Sequence, residues 1–169
     1  AQGKVARSHY DPAGNLTRSE DTAGNLVDQS YDDLDRLKAT TLYPATGRAL
    51  TTTHTLDENG NRTETKDSLG RIWKTAFDAL NRPIQSTNPP PSASFRTMKY
   101  DAFGNVRQSL DEQGQLKMMA YDNLNRPTEV AMSGGGVDSQ TLVFRHDGAD
   151  RRTLEQALMM EGSQAVRFY

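Results

Sequence analysis

The chain has no cysteine, so it can form no disulfide framework, no thiolate zinc site and no cysteine nucleophile, and its redox compartment is not written in the sequence. Long apolar runs are also missing. The longest spans four residues, Ala157 to Met160, far short of the ~20 needed to cross a bilayer as a helix. Nothing between Ala1 and Tyr10 reads as a signal peptide, so an export address is expected outside this chain. Charge of one sign is not in excess: twenty Lys and Arg face twenty-two Asp and Glu, for a formal charge of −2. A basic nucleic-acid or lipid-binding module is therefore not expected. Leu, Ile, Val and Phe together number twenty-nine of 169 residues, under a fifth of the chain. A thick aliphatic core cannot be built from so few, and the fold must draw on something else.

What the sequence has instead is repetition. Segments aligned on Asp read YDPAGNL from Tyr10, EDTAGNL from Glu20, YDDLDRL from Tyr31, LDENGNR from Leu56 and KDSLGRI from Lys66. They continue as FDALNRP from Phe77, YDAFGNV from Tyr100, LDEQGQL from Leu110, YDNLNRP from Tyr121 and, more weakly, HDGADRR from His146. Ten of the fifteen aspartates occupy this one position: Asp11, Asp21, Asp32, Asp57, Asp67, Asp78, Asp101, Asp111, Asp122 and Asp147. Three residues on stand Gly14, Gly24, Asp35, Gly60, Gly70, Asn81, Gly104, Gly114, Asn125 and Asp150. Aromatic residues precede many of the aspartates, at Tyr10, Tyr31, Phe77, Tyr100 and Tyr121, and Tyr43 opens a degenerate copy with Pro in place of Asp.

Each motif reads as a turn. An Asp side chain accepts hydrogen bonds from backbone N–H groups two residues on, and Gly, Asn or Asp can take the positive φ that a tight reversal demands. Between turns lie six to eight residues rich in Thr, Val, Leu, Tyr and Arg, a length that suits strands. The expectation is an all-β antiparallel meander of roughly fourteen strands. One stretch competes: Thr153 to Glu161 carries a capping-box spacing and good helix formers. The motif spacing favours a strand there too, and implies that the chain stops inside a motif, as a fragment of a longer protein.

A longer period overlies the short one. Asp11, Asp57, Asp101 and Asp147 are 46, 44 and 46 residues apart, so motifs come in threes. A different connection closes each unit, at Tyr43 to Gly47, Asn88 to Ser94 and Ser133 to Ser139. The third motif is its own type: Leu34-Asp35-Arg36, Leu80-Asn81-Arg82 and Leu124-Asn125-Arg126. The whole of 1–169 reads as one repeat segment with units near 10–55, 56–99, 100–145 and a truncated 146–169.

Tandem aromatic-Asp-x-x-Gly-Asn/Arg-Leu units at this spacing resemble the YD repeats of the RHS family, which includes bacterial polymorphic toxins, Tc toxin subunits and teneurins. The resemblance runs from Tyr10 to about Arg152. It implies a β-sheet strip that curves and spirals into part of a larger hollow shell around a toxic polypeptide. The partners it implies are the remaining repeats of the parent shell and the enclosed toxin, with no nucleic acid and no membrane engaged by this segment. It also implies a protein secreted or delivered from a bacterium, type VI secretion being one such route. Asp11-Pro12-Ala13-Gly14 is similar to the self-cleavage motif that ends many such shells, but Asn15 intervenes before Leu16 and repeats continue beyond it. It reads as an ordinary turn.

Other chemistry is not expected. Ten equivalent carboxylates serve a task done ten times, whereas a catalytic pair is singular. His9, His54 and His146 lack ligand spacing, so neither a metal nor another cofactor is expected. Asp57, Asn59 and Asn61 alternate like a calcium loop, but Gly60 precedes the third ligand and no Glu follows at the twelfth position. Gly134-Gly135-Gly136 lacks the Lys-Ser/Thr of a phosphate loop. Asn15-Leu16-Thr17 and Asn61-Arg62-Thr63 are sequons that matter only in a eukaryotic secretory route. Arg36, Arg62, Arg71, Arg82, Arg126 and Arg151 recur near the end of the motif. Stacked repeats would set them in a lateral ladder of Asp, Arg and aromatic rings, with single-stranded nucleic acid as the rival use. The expected function is thus non-catalytic and mechanical. The alternative is an extracellular module that holds sugar rings or a receptor on Tyr side chains and Trp73. Uncovered strand edges should make the isolated segment poorly stable or prone to self-association.

Overall fold

The computed structural model describes residues 5–147, 151–161 and 164–168. Its chain divides into two compact units, one of residues 1–82 with 88–93, the other of residues 83–87 with 94–169. The first holds β1 (Arg7–Tyr10), β2 (Leu16–Glu20), β3 (Leu26–Tyr31), β4 (Leu37–Tyr43), β5 (Leu50–Leu56), β6 (Arg62–Lys66) and β7 (Ile72–Phe77). The second holds β8 (Pro83–Thr87), β9 (Phe95–Tyr100), β10 (Val106–Leu110), β11 (Gln115–Tyr121) and β12 (Pro127–Gly134). It continues through β13 (Val137–His146), β14 (Arg152–Glu161) and β15 (Gln164–Phe168). Within each unit, every strand pairs antiparallel with its neighbour in sequence. The architecture is the all-β meander. The stretch from Thr153 lies in strand β14, paired with β13 from Ser139↔Met160 to His146↔Arg152, so long-range pairing overrides its local helix preference.

Thr supplies much of the strand character. In β4 and β5, Thr40 pairs with Thr52 and Thr41 with Thr51, and the Thr41 and Thr51 hydroxyls meet at 3.1 Å. Such cross-strand pairs stabilise a sheet by ~0.2–1 kcal/mol each. Charged pairs do the same at Arg18–Asp28 and at Lys74–Glu64, the latter at 3.4 Å. Apolar side chains form rows on one face of each unit. In the first the row is Val27↔Leu42↔Leu50, and in the second Met119↔Val130↔Leu142↔Ala157.

Among the described residues, those rows stay mostly half-buried. Among the described residues only Phe144 and Ala157 count as buried, each at 9% exposure. Among the described residues, the extensive packing is between successive strands. Backbone pairing and turn chemistry thus carry most of the order that a core carries elsewhere.

The two ends of the strands differ. At the end where β1 turns into β2 and β3 into β4, the register slips by one residue after each turn. His9 faces Arg18 but Tyr10 faces Leu16, leaving Thr17 unpaired. The same slip leaves Lys38, Thr63, Arg107 and Thr128 unpaired. These are β-bulges, which add local twist and re-aim the extra side chain. The hydroxyls of Thr17 and Thr63 donate to the carbonyls of His9 and Thr55 at 3.3 and 3.2 Å, which uses backbone acceptors near the slip. At the opposite end the turns after β2, β6 and β10 close without a slip, as Glu20↔Leu26, Lys66↔Ile72 and Leu110↔Leu116 show.

Candidate functional site

The repeated turns are the chemically distinctive feature, and they are built alike. At Asp11 the backbone carbonyl accepts from Gly14 N–H at 3.0 Å, and its own N–H donates to the Asn15 carbonyl at 3.0 Å. The same two bonds occur at Asp21, Asp32, Asp57, Asp67, Asp78, Asp101, Asp111 and Asp122, all at 2.9–3.2 Å. This is a type I turn followed by a left-handed residue, a common three-residue hairpin connection. At that residue Gly14, Gly24, Gly60, Gly70, Gly104 and Gly114 have φ between 80° and 94°. Asp35, Asn81 and Asn125 take φ of 57°, 60° and 60° there, a region that Asp and Asn tolerate best among residues with a Cβ.

Each Asp side chain braces its own turn. Asp122 Oδ1 accepts from the N–H groups of Leu124 and Arg126 at 2.9 and 3.0 Å, and Oδ2 accepts from Arg126 Nε at 2.7 Å. Asp32 with Arg36, Asp67 with Arg71 and Asp78 with Arg82 repeat the pattern, and Asp147 is bonded likewise to Arg151. Where the fifth residue is Asn, its Nδ2 replaces the guanidinium, as at Asp11, Asp21, Asp57 and Asp101. Gln115 offers Asp111 only its backbone N–H, at 2.8 Å.

Those bonds favour the ionised carboxylate. The Arg126 guanidinium and backbone N–H hold Asp122 down to about 2. Asp78 is lowered by Arg82 in the same way. Asp57 and Asp101 are lowered by the side-chain amides of Asn61 and Asn105, and Asp11 chiefly by the Asn15 backbone N–H. A carboxylate held ionised and saturated with donors has no proton to give and little capacity to take one.

The turns also bond sideways, from Asn15, Asn61 and Asn105, whose place in the motif had not been assigned this role, onto Asp35, Asn81 and Asn125, which the pattern did single out as turn residues. Asn15 Nδ2 donates to Asp35 Oδ1 at 2.7 Å, Asn61 Nδ2 to Asn81 Oδ1 at 2.7 Å and Asn105 Nδ2 to Asn125 Oδ1 at 2.9 Å. Each link spans twenty residues and joins the first motif of a unit to its third. The third motif therefore needs a side-chain acceptor at its left-handed position, which Gly cannot supply. This accounts for Leu-Asx-Arg, and the signal was present in the fixed offset between Gly-Asn and Leu-Asx-Arg.

The expected ladder of Asp, Arg and aromatic side chains takes a particular form. Arg36, Arg71, Arg82, Arg126 and Arg151 pair with the Asp of their own turn. Arg36 reaches sideways only to a backbone carbonyl, that of Asp57, at 2.9 Å. Arg62 lies in β6 opposite Leu56. The aromatics link repeats through hydroxyls: Tyr31 donates to the Leu16 carbonyl at 3.0 Å, Tyr100 to Pro83 and Tyr121 to Val106, both at 2.9 Å. Tyr10 is largely exposed and Tyr43 partly so. Phe77 occupies the same position without a hydroxyl.

His54 packs its Nδ1 against Thr65 Oγ1 at 3.1 Å, and burial with nearby Arg62 lowers its pKa. Among the described residues, no cluster of three His, Asp or Glu side chains is placed to hold a metal. Asp57 and Asn61 bond each other. Trp73 is half-buried, with the Arg71 guanidinium 5.4 Å from its ring centre, so one ring face is occupied. Gly134, Gly135 and Gly136 close the β12–β13 hairpin with φ of 78°, 64° and 78°. A Cβ on Gly134 would stand 2.6 Å from the Gly114 carbonyl oxygen. Asp150 lies outside the described residues.

Tandem hairpins closed by identical aspartate turns define a repeat-sheet protein. A family model described as RHS Repeat matches residues 10–49, so the YD-repeat resemblance read in the sequence is shown there by the sequence itself. No curated protein matches the chain. Solved structures extend the likeness of fold. The TcdB2-TccC3-Cdc42 complex matches 96% of the chain with a TM-score of 0.71 at 15% identity. The TcdB2-TccC3 complex matches equally well, with 96% coverage and a TM-score of 0.71. A Photorhabdus luminescens Tc holotoxin pore matches 91% at a TM-score of 0.70 and 15% identity. The chain spans about a tenth of those longer proteins, 9% of the first and 10% of the second.

Proposed function

We propose that this segment is a non-catalytic stretch of wall in a shell that encloses a toxic polypeptide of a secreted bacterial toxin. One observation carries the reading: among the described residues almost no side chain is buried, yet the aspartate turns are braced by hydrogen bonds and the first and third of each unit are linked. Such a sheet is built to extend a larger surface by repetition. The fold shared with Tc toxin complexes supports that role. On this reading the four-strand superperiod, with units near 10–55, 56–99 and 100–145, is the element that is repeated, and the sheet's twist supplies the curl. The nine motif aspartates from Asp11 to Asp122 and their left-handed partners close turns, and the Arg71 guanidinium over one face of Trp73 leaves a sugar only the other.

The test is limited proteolysis of the natural full-length chain. A wall predicts a long protected fragment outside the repeats, which becomes degradable when the Asp101 and Asp122 turns are opened by alanine substitution. Equal protection in the variant, or none in the natural chain, would refute the enclosure.

A further inference from the structure

Departures from the repeat mark what the turns and strands do not themselves require. Aligned on the motif aspartates, Lys38 stands where the later third motifs carry Ile84 and Thr128. His54, three residues before Asp57, stands where the other first motifs carry Ser8, Met98 and Phe144. Arg62, five residues after Asp57, matches Leu16, Val106 and Arg152. Only in this copy do all three places hold a Lys, His or Arg.

The fold brings the three together. β4 and β5 pair through Ala39↔Thr53, which sets Lys38 beside His54 at the next position, and β5 meets β6 through Leu56↔Arg62. Lys38 and His54 line a hollow of about 290 Å³ with Asp32, Arg36, Thr55 and Leu56. Burial first and then the Arg62 charge lower the pKa of His54, so Arg62 lies near the ring. Thr65 Oγ1 takes the ring's Nδ1 and leaves Nε2 unbonded. The carboxylates around the ring are already engaged. Asp32 in the hollow is held by Arg36 at 2.8 Å. Asp57 is bonded by Asn61, and Glu64, opposite Thr55, pairs with Lys74 at 3.4 Å. Among the described residues no carboxylate pairs with Lys38 or Arg62.

Arg152 and Phe144 show another use of the same two places: the guanidinium lies 4.6 Å from the ring centre, a cation held on an aromatic face. His54 would repel Arg62 once protonated, and like charges set against each other across strands cost a sheet stability. Cationic groups from three strands with no carboxylate to share therefore suit an anion from outside. A carboxylate offers two oxygens. A phosphate group offers three or more and a charge near −2, which matches three converging donors.

We propose that Lys38, His54 and Arg62 bind a phosphate group in the hollow beside the Asp32–Arg36 pair. The site belongs to one copy of the repeat and does not rest on the wall reading.

Hydrogen exchange on the natural full-length chain tests it, with phosphate or sulfate compared with chloride at one ionic strength. Inorganic phosphate should protect peptides covering β4 to β6 above other repeat peptides, and calorimetry should show saturable binding. Arg62→Gln and Lys38→Gln should each weaken binding about tenfold, the loss of one charge-assisted hydrogen bond, with their strands still protected. Sulfate does not titrate near neutrality, so it should bind more tightly as pH falls from about 8 to 6 and His54 takes up a proton. His54→Gln should abolish that slope, whereas Lys38→Gln keeps it. Glycerol 2-phosphate binding as well as inorganic phosphate would assign the site to a phosphorylated ligand, and much weaker binding would assign it to free phosphate. Protection no greater than in chloride, protection spread evenly over the repeats, natural affinity in Arg62→Gln, or a flat sulfate profile would overturn the proposal. The enclosure test reads a fragment outside the repeats, so the two readings fall separately.

Discussion

Replacing Asn125 tests the sideways link and the backbone conformation separately. Asn125 has φ 60°, and its Oδ1 accepts from Asn105 Nδ2 at 2.9 Å. Asn125→Gly keeps the left-handed conformation and loses only the bond. Because the pair is exposed, the loss should lie toward the lower end of the ~0.5–1.5 kcal/mol typical of a neutral hydrogen bond. Asn125→Ala loses the bond and also the short polar side chain that lets Asn hold this region despite its Cβ, a loss bounded by the ~1–2 kcal/mol left-handed penalty, for up to about 2 kcal/mol in all. Hydrogen exchange followed on peptides covering residues 100–128 reads this as local opening, at a factor of ten per ~1.4 kcal/mol. The Ala variant should open up to roughly tenfold more readily than the Gly variant. Asn105→Ala also breaks a bond to Asp101, so the link is isolated by the double cycle, with an expected coupling of ~0.5–1 kcal/mol. Asn81, twenty residues beyond Asn61 in the other unit, should show no coupling to Asn105. Equal effects of Gly and Ala, or no coupling between Asn105 and Asn125, would refute the reasoning.

Three further outcomes follow from the same geometry. Because Asp11, Asp21, Asp32, Asp57, Asp67, Asp78, Asp101 and Asp122 titrate below the ordinary carboxylate range in the folded chain, they stabilise it above a pH of about 4 and cease to do so as pH falls toward about 2, where Asp122 titrates. Circular dichroism against pH should therefore be flat from 7 to 5 and fall below 4; a transition centred near 6 would contradict this. Tyr121→Phe loses the bond to the Val106 carbonyl and should destabilise the β10–β12 region by ~0.5–1.5 kcal/mol, measured by exchange; no change would mean the hydroxyl carries nothing. Gly134→Ala meets a carbonyl oxygen at 2.6 Å, whereas Gly114→Ala meets open space at a similar φ of 80°. Both incur the conformational penalty, and the first should cost more in urea denaturation; the reverse order would show that the β12–β13 hairpin does not lie against the Gly114 turn.

The meander and its turns were legible because their chemistry is local. An Asp that bonds N–H groups two and four residues on, followed by a residue able to take positive φ, leaves the same trace at Asp11 as at Asp122. The strand at Thr153 to Glu161 was legible by spacing, against its own helix propensity. What joins one repeat to the next was read as a ladder of Asp, Arg and aromatic side chains. Arg and Tyr do reach between turns, but to backbone carbonyls, as Arg36 does to Asp57 and Tyr121 to Val106. The shorter Asn is fixed by its own turn with one amide hydrogen to spare, and that hydrogen makes the link. The bulges were not read from the sequence: Thr17, Thr63 and Thr128 share a hydroxyl, but Lys38 and Arg107 hold the same place, so no one side chain marks it. They arise from the fit of each turn to the register of its strands.

An electron cryomicroscopy map of the natural full-length chain tests the central claim most directly. The account predicts these strands as part of a continuous wall, with the 44-to-46-residue unit recurring along it and polypeptide density inside. A free-standing sheet with solvent on both faces, or a closed interior that is empty of chain, would contradict it.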